Sequence, residues 1–299
     1  MLPRIRRFRN VTLLLFASTA LISTNGINPK ADQGYPLYDN EQEWKANFPK
    51  KIDYCEQLPS PDSLYIFLMA GQSNMAGRGF VEPEDTIPNK RILTIDQSMN
   101  WIYAKEPLHF YEPKMTGLDC GLSFARALLD SLPEGISVAM IPCAVGGSSI
   151  EKWLYNRNHR GVDLLENYKS KVAFAQKYGR VKGILWHQGE SNAKIDQIPA
   201  YGQKLDSLIA IFRATVANDT LPVFVGELGQ YTQPVDKQQR WDALNETIRE
   251  VANGDSNIYI VETQGLTHKG DYTHLDSESL RELGIRYAQR YLGMNESLQ

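Results

Sequence analysis

From residue 64 onward the apolar positions switch repeatedly between two spacings. Leu64-Tyr-Ile-Phe-Leu-Met-Ala70 is an unbroken apolar run of strand length, and it stops at Gly71-Gln72-Ser73-Asn74, followed by small residues compatible with a helix. Arg91 to Ile95 reads as another short strand. Between Cys120 and Leu132 the apolar residues Leu122, Phe124, Ala125, Leu128 and Leu129 recur at helical spacing, and Pro133 ends the segment. The run Ile136–Ile141 returns to a strand. The alternation then repeats as helix 162–178 and strand 181–186, helix 200–216 and strand 221–226, helix 237–251 and strand 258–261, with an amphipathic helix 277–292 at the end. Strands separated by helices of this length predict right-handed crossovers, hence an α/β fold with a mainly parallel central sheet covered on both faces.

The remaining segments do not share this rhythm. Arg4, Arg6, Arg7 and Arg9 precede an apolar run from Val11 to Ile22, a basic and then short apolar pattern that predicts a secretory signal over residues 1–24 and an exported protein, secreted or periplasmic. The run is too short for a comfortable membrane span, so no stable membrane insertion is expected. Residues 25–61 carry Pro29, Pro36, Pro49, Pro59 and Pro61 and read as a leader draped on the domain, with Trp44 and Phe48 at a spacing that could tack a short helix to the core. The main domain is then 62–299. Within it, the loop-rich stretch Gly79–Gly117 offers Trp101, Tyr103, His109, Phe110 and Tyr111 either as core aromatics or as flat faces for a sugar ring.

At 299 residues, 42% hydrophobic and 22% charged, the composition is that of one large folded domain. A formal net charge of −3 gives no bulk attraction to nucleic acid. Cys55, Cys120 and Cys143 cannot all pair internally, and no Cys-x-x-Cys or His-x-x-x-His spacing suggests a metal site; no cofactor is expected. Neither Gly-x-Gly-x-x-Gly nor the phosphate-loop lysine pattern is present, which argues against nucleotide binding.

Four short segments each follow a predicted strand on the same edge of the sheet: Gly71-Gln72-Ser73-Asn74, Gly146-Gly147-Ser148-Ser149, His187-Gln188-Gly189-Glu190-Ser191-Asn192, and the loop ending Asp271-Tyr-Thr-His274. Loops converge at that edge of an open α/β sheet, where ligands bind. Acyl transfer to a serine needs a nucleophile, a base, a carboxylate that orients the base, and N–H donors for the oxyanion. Ser73, His274 and Asp271 fill the first three roles, with His268 and His187 as rival bases. The N–H of Ser73, a backbone N–H of Gly146 or Gly147, and the Gln188 amide are the candidate donors. Glu190 is expected to orient Asn74 or Gln188. Each has a plainer reading: Ser73 as a helix cap, Gly146-Gly147 as a turn, Gln188 and Glu190 as a polar brace.

Taken together, Gly-Gln-Ser-Asn-Met, Val-Gly-Gly-Ser-Ser-Ile-Glu-Lys-Trp, Trp-His-Gln-Gly-Glu-Ser and Asp-x-x-His resemble the SGNH hydrolase superfamily, in the branch of carbohydrate esterase family 6 and the sialate O-acetylesterase-like domains. The resemblance covers about Leu64 to Leu292. It implies a flavodoxin-like three-layer α/β/α sandwich, an acetylated carbohydrate substrate, serine-dependent deacetylation without a metal, and the roles given above for Ser73, His274, Asp271, Gly146, Gly147 and Gln188. Glutamine at 188 is typical of this branch, whereas many superfamily members carry Asn there. His187 departs from the Tyr that similar proteins often have. Two alternatives stand beside it: an exported glycan-binding protein with an inactive site, using Trp101, Trp153 and Trp241 as stacking platforms, and a lipid esterase or thioesterase.

Overall fold

A computed structural model describes residues 41–296, which open with a single helical turn, α1 (Glu41–Trp44). The elements that follow are β1 (Leu64–Gly71), α2 (Ser73–Ala76), β2 (Ile92–Ile95), β3 (Trp101–Tyr103), α3 (Gly121–Leu129), β4 (Ser137–Pro142) and α4 (Ile150–Leu154). After them come β5 (Asn158–His159), β6 (Val162–Asp163), α5 (Leu164–Ala175), β7 (Arg180–His187), α6 (Ile198–Val216), β8 (Val223–Gly226), α7 (Val235–Gly254), β9 (Ile258–Val261) and α8 (Ser277–Glu296). The expected signal at 1–24 and the start of the leader lie outside the described residues.

Seven strands form one sheet in the order β3-β2-β4-β1-β7-β8-β9. All neighbouring pairs are parallel except β2 with β3. Because side chains alternate across a strand, β1 feeds both faces: Leu64, Ile66, Leu68 and Ala70 join one buried cluster with Trp153, Tyr168, Phe212 and Trp241, while Phe67 and Met69 join another with Leu122, Phe124, Leu283 and Tyr287. Helices α4 to α7 therefore cover one face, and α3 with α8 the other, giving three layers. Phe67 sits edge-on to Phe124 and Tyr291, with centroids 4.7 and 5.0 Å away. Truncating it to Ala should cost about 3–5 kcal/mol.

Three departures from the sequence reading have local causes. The helix expected from residue 162 starts at Leu164, because Arg160 (φ 52) and Gly161 (φ 81) turn the chain into the small hairpin β5–β6 first. Trp101–Tyr103 is an antiparallel edge strand, which period alone did not separate from a loop. Its Trp101 stacks on Phe174, and His109 is buried against Asp119, while the Tyr111 hydroxyl donates to the Pro142 carbonyl, so these rings are structural and not open sugar faces. Trp153 and Trp241 are buried as well, which removes all three proposed tryptophan platforms. In the leader, Trp44 does tack the chain down: its indole N–H donates to the Thr116 carbonyl, and its ring meets Phe80 at 4.9 Å. Cys55, Cys120 and Cys143 are free thiols.

Candidate active site

Strands β1, β4, β7 and β9 end on one edge of the sheet, and the four segments singled out above follow them there. The turn after β1 is tight because Gly71 adopts φ 138, where a Cβ would meet the His187 carbonyl oxygen at 2.1 Å. Only glycine lets β1 and β7 stay this close at their ends. Gln72 then donates its N–H to that same His187 carbonyl (2.9 Å), and Ser73 begins α2. As the first residue of a helix, Ser73 has no intrahelical acceptor for its N–H, and no other described residue supplies one.

His274 comes to this serine from the loop between β9 and α8. Its Nε2 lies 3.0 Å from Ser73 Oγ, and its Nδ1 lies 2.7 Å from Asp271 Oδ2. The other Asp271 oxygen accepts the N–H groups of Thr273 and His274, at 3.0 and 2.8 Å, so the carboxylate folds its own loop as well as holding the imidazole. Burial alone would raise the pKa of Asp271; the hydrogen bonds from the imidazole and these amides outweigh it and keep the carboxyl well below the ordinary carboxylate range. Asn74 fastens the two halves. Its Nδ2 donates to Glu190 Oε1 (2.7 Å) and to the Thr273 carbonyl (3.2 Å), and its Oδ1 accepts the Leu275 N–H (3.0 Å), which grips the chain on both sides of His274. Glu190 thus reaches Asn74, one of its two expected targets.

The Gly146-Gly147 turn is built differently. The Gly146 N–H is taken by Glu112 Oε2 at 2.6 Å, and the same oxygen lies 2.7 Å from the buried guanidinium of Arg78. Arg160 approaches Glu112 from the solvent side. Burial, and next the proximity of Arg160, bring the Arg78 pKa down to about 10, so it remains a cation at neutral pH. Gly147, at φ 69, is exposed, and its N–H has no acceptor among the described residues. Of the two candidate glycines, only Gly147 therefore has a donor to offer. Behind the turn, His109 accepts the Ala144 N–H on Nε2 (3.2 Å) and faces Asp119 on Nδ1 (2.8 Å).

Gln188 is fully buried, and its amide group is directed at Gln72 Oε1 (3.1 Å), the Ser148 carbonyl (3.2 Å) and Asn192 Oδ1 (2.8 Å). Tyr201 donates to its Oε1 at 3.0 Å. In this state the amide braces three of the four segments, and it can serve an anion only by giving up one of these acceptors. His187 lies beneath the site, its ring edge where a Cβ on Gly226 would fall, and burial lowers its pKa. It is 3.9 Å from Glu190 and does not reach the serine. The imidazole bonded to Ser73 is that of His274, not His268, whose Nδ1 accepts the N–H groups of Gly270 (2.9 Å) and Tyr272 (3.2 Å).

Glu112, Arg78, Tyr201 and the His109–Asp119 pair escape sequence reasoning as members of the site, and Asn192, inside the third segment, has no role assigned to it there. Their signal is faint: Glu112, Arg78, His109 and Asp119 stand in loops and Tyr201 on α6, with no motif spacing to any of the four segments. Among the described residues no group of three His, Cys, Asp or Glu is placed to hold a metal ion, and no helix is long and apolar enough to cross a membrane.

A family model described as carbohydrate esterase, sialic acid-specific acetylesterase, matches residues 63–293. A probable carbohydrate esterase of Arabidopsis thaliana is 32% identical over 257 residues, which span 79% of this chain and 93% of that protein. An X-ray structure of an Arabidopsis thaliana protein aligns with TM-score 0.68 and 30% identity, covering 78% of this chain and 99% of that one. A carbohydrate acetylesterase from Xanthomonas citri shares the fold at TM-score 0.55 and 18% identity, over 77% of this chain and 57% of that one.

Proposed function

The chain belongs to the sialic acid-specific acetylesterase family of carbohydrate esterases and is a carboxylic ester hydrolase, and from that premise we propose that it removes O-acetyl groups from an acetylated glycan by attack of Ser73. The continuous line from Asp271 through His274 to Ser73 Oγ carries this reading. The Ser73 hydroxyl adds to the acetyl carbonyl as His274 Nε2 takes its proton, and the tetrahedral oxyanion is met by the N–H groups of Ser73 and Gly147. Collapse expels the sugar oxygen, which takes the proton back from His274, and leaves acetyl-Ser73. Water, deprotonated by the same imidazole, then releases acetate. Asp271 holds the tautomer with Nδ1 protonated. The Gln188 amide is the third candidate donor, reached by release of its longest contact, Ser148.

The test is Ser73→Ala with acetate release measured across acetylated xylan, acetylated pectin and O-acetyl sialosides. Loss of at least about 10³-fold on the preferred substrate is expected. A serine-reactive fluorophosphonate should label the unaltered protein at Ser73 and leave the variant unlabelled. Turnover by Ser73→Ala at the unaltered rate overturns the scheme. The basic and then apolar N-terminus supports export, secreted or periplasmic, and protein recovered after export should begin near residue 25.

A further inference from the structure

The loop that carries His274 also holds an exposed ring whose backbone is strained. Tyr272 is 40% exposed and sits at φ 54, a conformation that is an outlier for a bulky side chain and that Gly or Asn would adopt more readily. The loop enforces it. The Tyr272 N–H donates to His268 Nδ1, its carbonyl accepts the Thr232 hydroxyl at 2.6 Å, and its ring lies 4.4 Å from the His268 ring. His268 in turn meets Tyr231 at 5.4 Å, and the Tyr231 hydroxyl donates to the Thr273 carbonyl that Asn74 also holds. An aromatic ladder therefore runs out from beside Asn74 and ends at Tyr272.

The reaction fixes where the sugar must be. Its leaving oxygen takes a proton from His274 Nε2 and so comes within about 3.2 Å of it, on the His274 side of the reacting carbon and opposite the oxyanion donors; Tyr272 stands two positions before that histidine in the same loop. The C–H face of a pyranose is apolar and weakly positive, and a tyrosine ring presents a negative face. Resting on the serine–histidine reading above, we propose that Tyr272 is the specificity-determining platform of this esterase: its exposed ring stacks against the pyranose that bears the acetyl group, and His268 holds that ring in place.

The experiment compares Tyr272→Ala and Tyr272→Phe on two esters, an O-acetylated methyl pyranoside and ethyl acetate, which has no ring. The expected result is a fall of fivefold or more in the kcat/KM ratio of the pyranoside over ethyl acetate for Tyr272→Ala, carried by KM, and a ratio restored to within twofold by Tyr272→Phe. A smaller fall, or an equal fall in both variants, overturns the platform. A second measurement needs no turnover: NMR titration of the O-acetylated pyranoside into Ser73→Ala and into Ser73→Ala/Tyr272→Ala should show at least fivefold weaker binding in the double variant, and equal binding refutes the proposal. Failure of the serine mechanism would show separately, as hydrolysis during the Ser73→Ala titration.

Discussion

The two halves of the site are held by different means. On the nucleophile side, Gln72, Ser73, Asn74, Gly146 and Gln188 are all buried, fixed by the ends of three central strands and by the Arg78–Glu112 pair. On the base side, the side chains of Asp271 and His274 are 32% and 22% exposed, in a loop whose shape comes from hydrogen bonds to Asp271 and His268. A defect on the first side propagates into the core, because a buried ion or polar group is left without its partner. A defect on the second costs rate and leaves the fold standing. Stability and turnover should thus be separable by which half is changed.

The largest effect should come from the exposed half. Asp271→Asn keeps an oxygen for the Thr273 and His274 amides but favours the wrong imidazole tautomer, so kcat should drop on the order of 10⁴-fold, while the stability lost with its lowered carboxylate stays below that lost in Glu112→Ala. A comparable loss of stability would erase the contrast between the halves. Next, Glu112→Ala strands the Arg78 guanidinium in the interior and should destabilise the protein by about 3–5 kcal/mol, read from chemical unfolding. Asn74→Ala tests the fastening between them: with Leu275 N–H and Glu190 left unpaired, it should cost about 1–3 kcal/mol in stability and also depress kcat, a mixed signature that neither half gives alone.

The smallest effect concerns acid. Burial of Glu151 would raise its pKa, but Lys204 and Asn192 donate to it and bring it down to about 2. A carboxyl lowered in the folded state adds stability that is present above its unfolded value near 4.3 and is lost as pH falls toward 2. Glu151→Gln should therefore unfold less steeply on acidification across that window, with little change at pH 7.

Much of the fold was legible because buried parallel strands and amphipathic helices impose their periods on the chain, as at Leu64–Ala70 and residues 200–216. The four site segments were legible for a related reason: each stands where a strand must end. Trp101–Tyr103 was not, since three residues on an edge are too few to show a period. Glu112 and Arg78 were not, because a buried ion pair depends on loops meeting in space and leaves no spacing in sequence. The carboxylate that takes the Gly146 N–H is what distinguishes the two glycines, and it lies 34 positions away.

The hydrogen bond between His274 and Ser73 joins residues 201 positions apart. On the proposed mechanism the nucleophile leaves the ribosome long before its base exists, so no growing chain can turn over an ester until the loop before α8 has been made. The same separation makes the protein a natural split reporter: a break between β7 and β8 places serine and histidine on different fragments, and recovered hydrolysis then measures their reassembly.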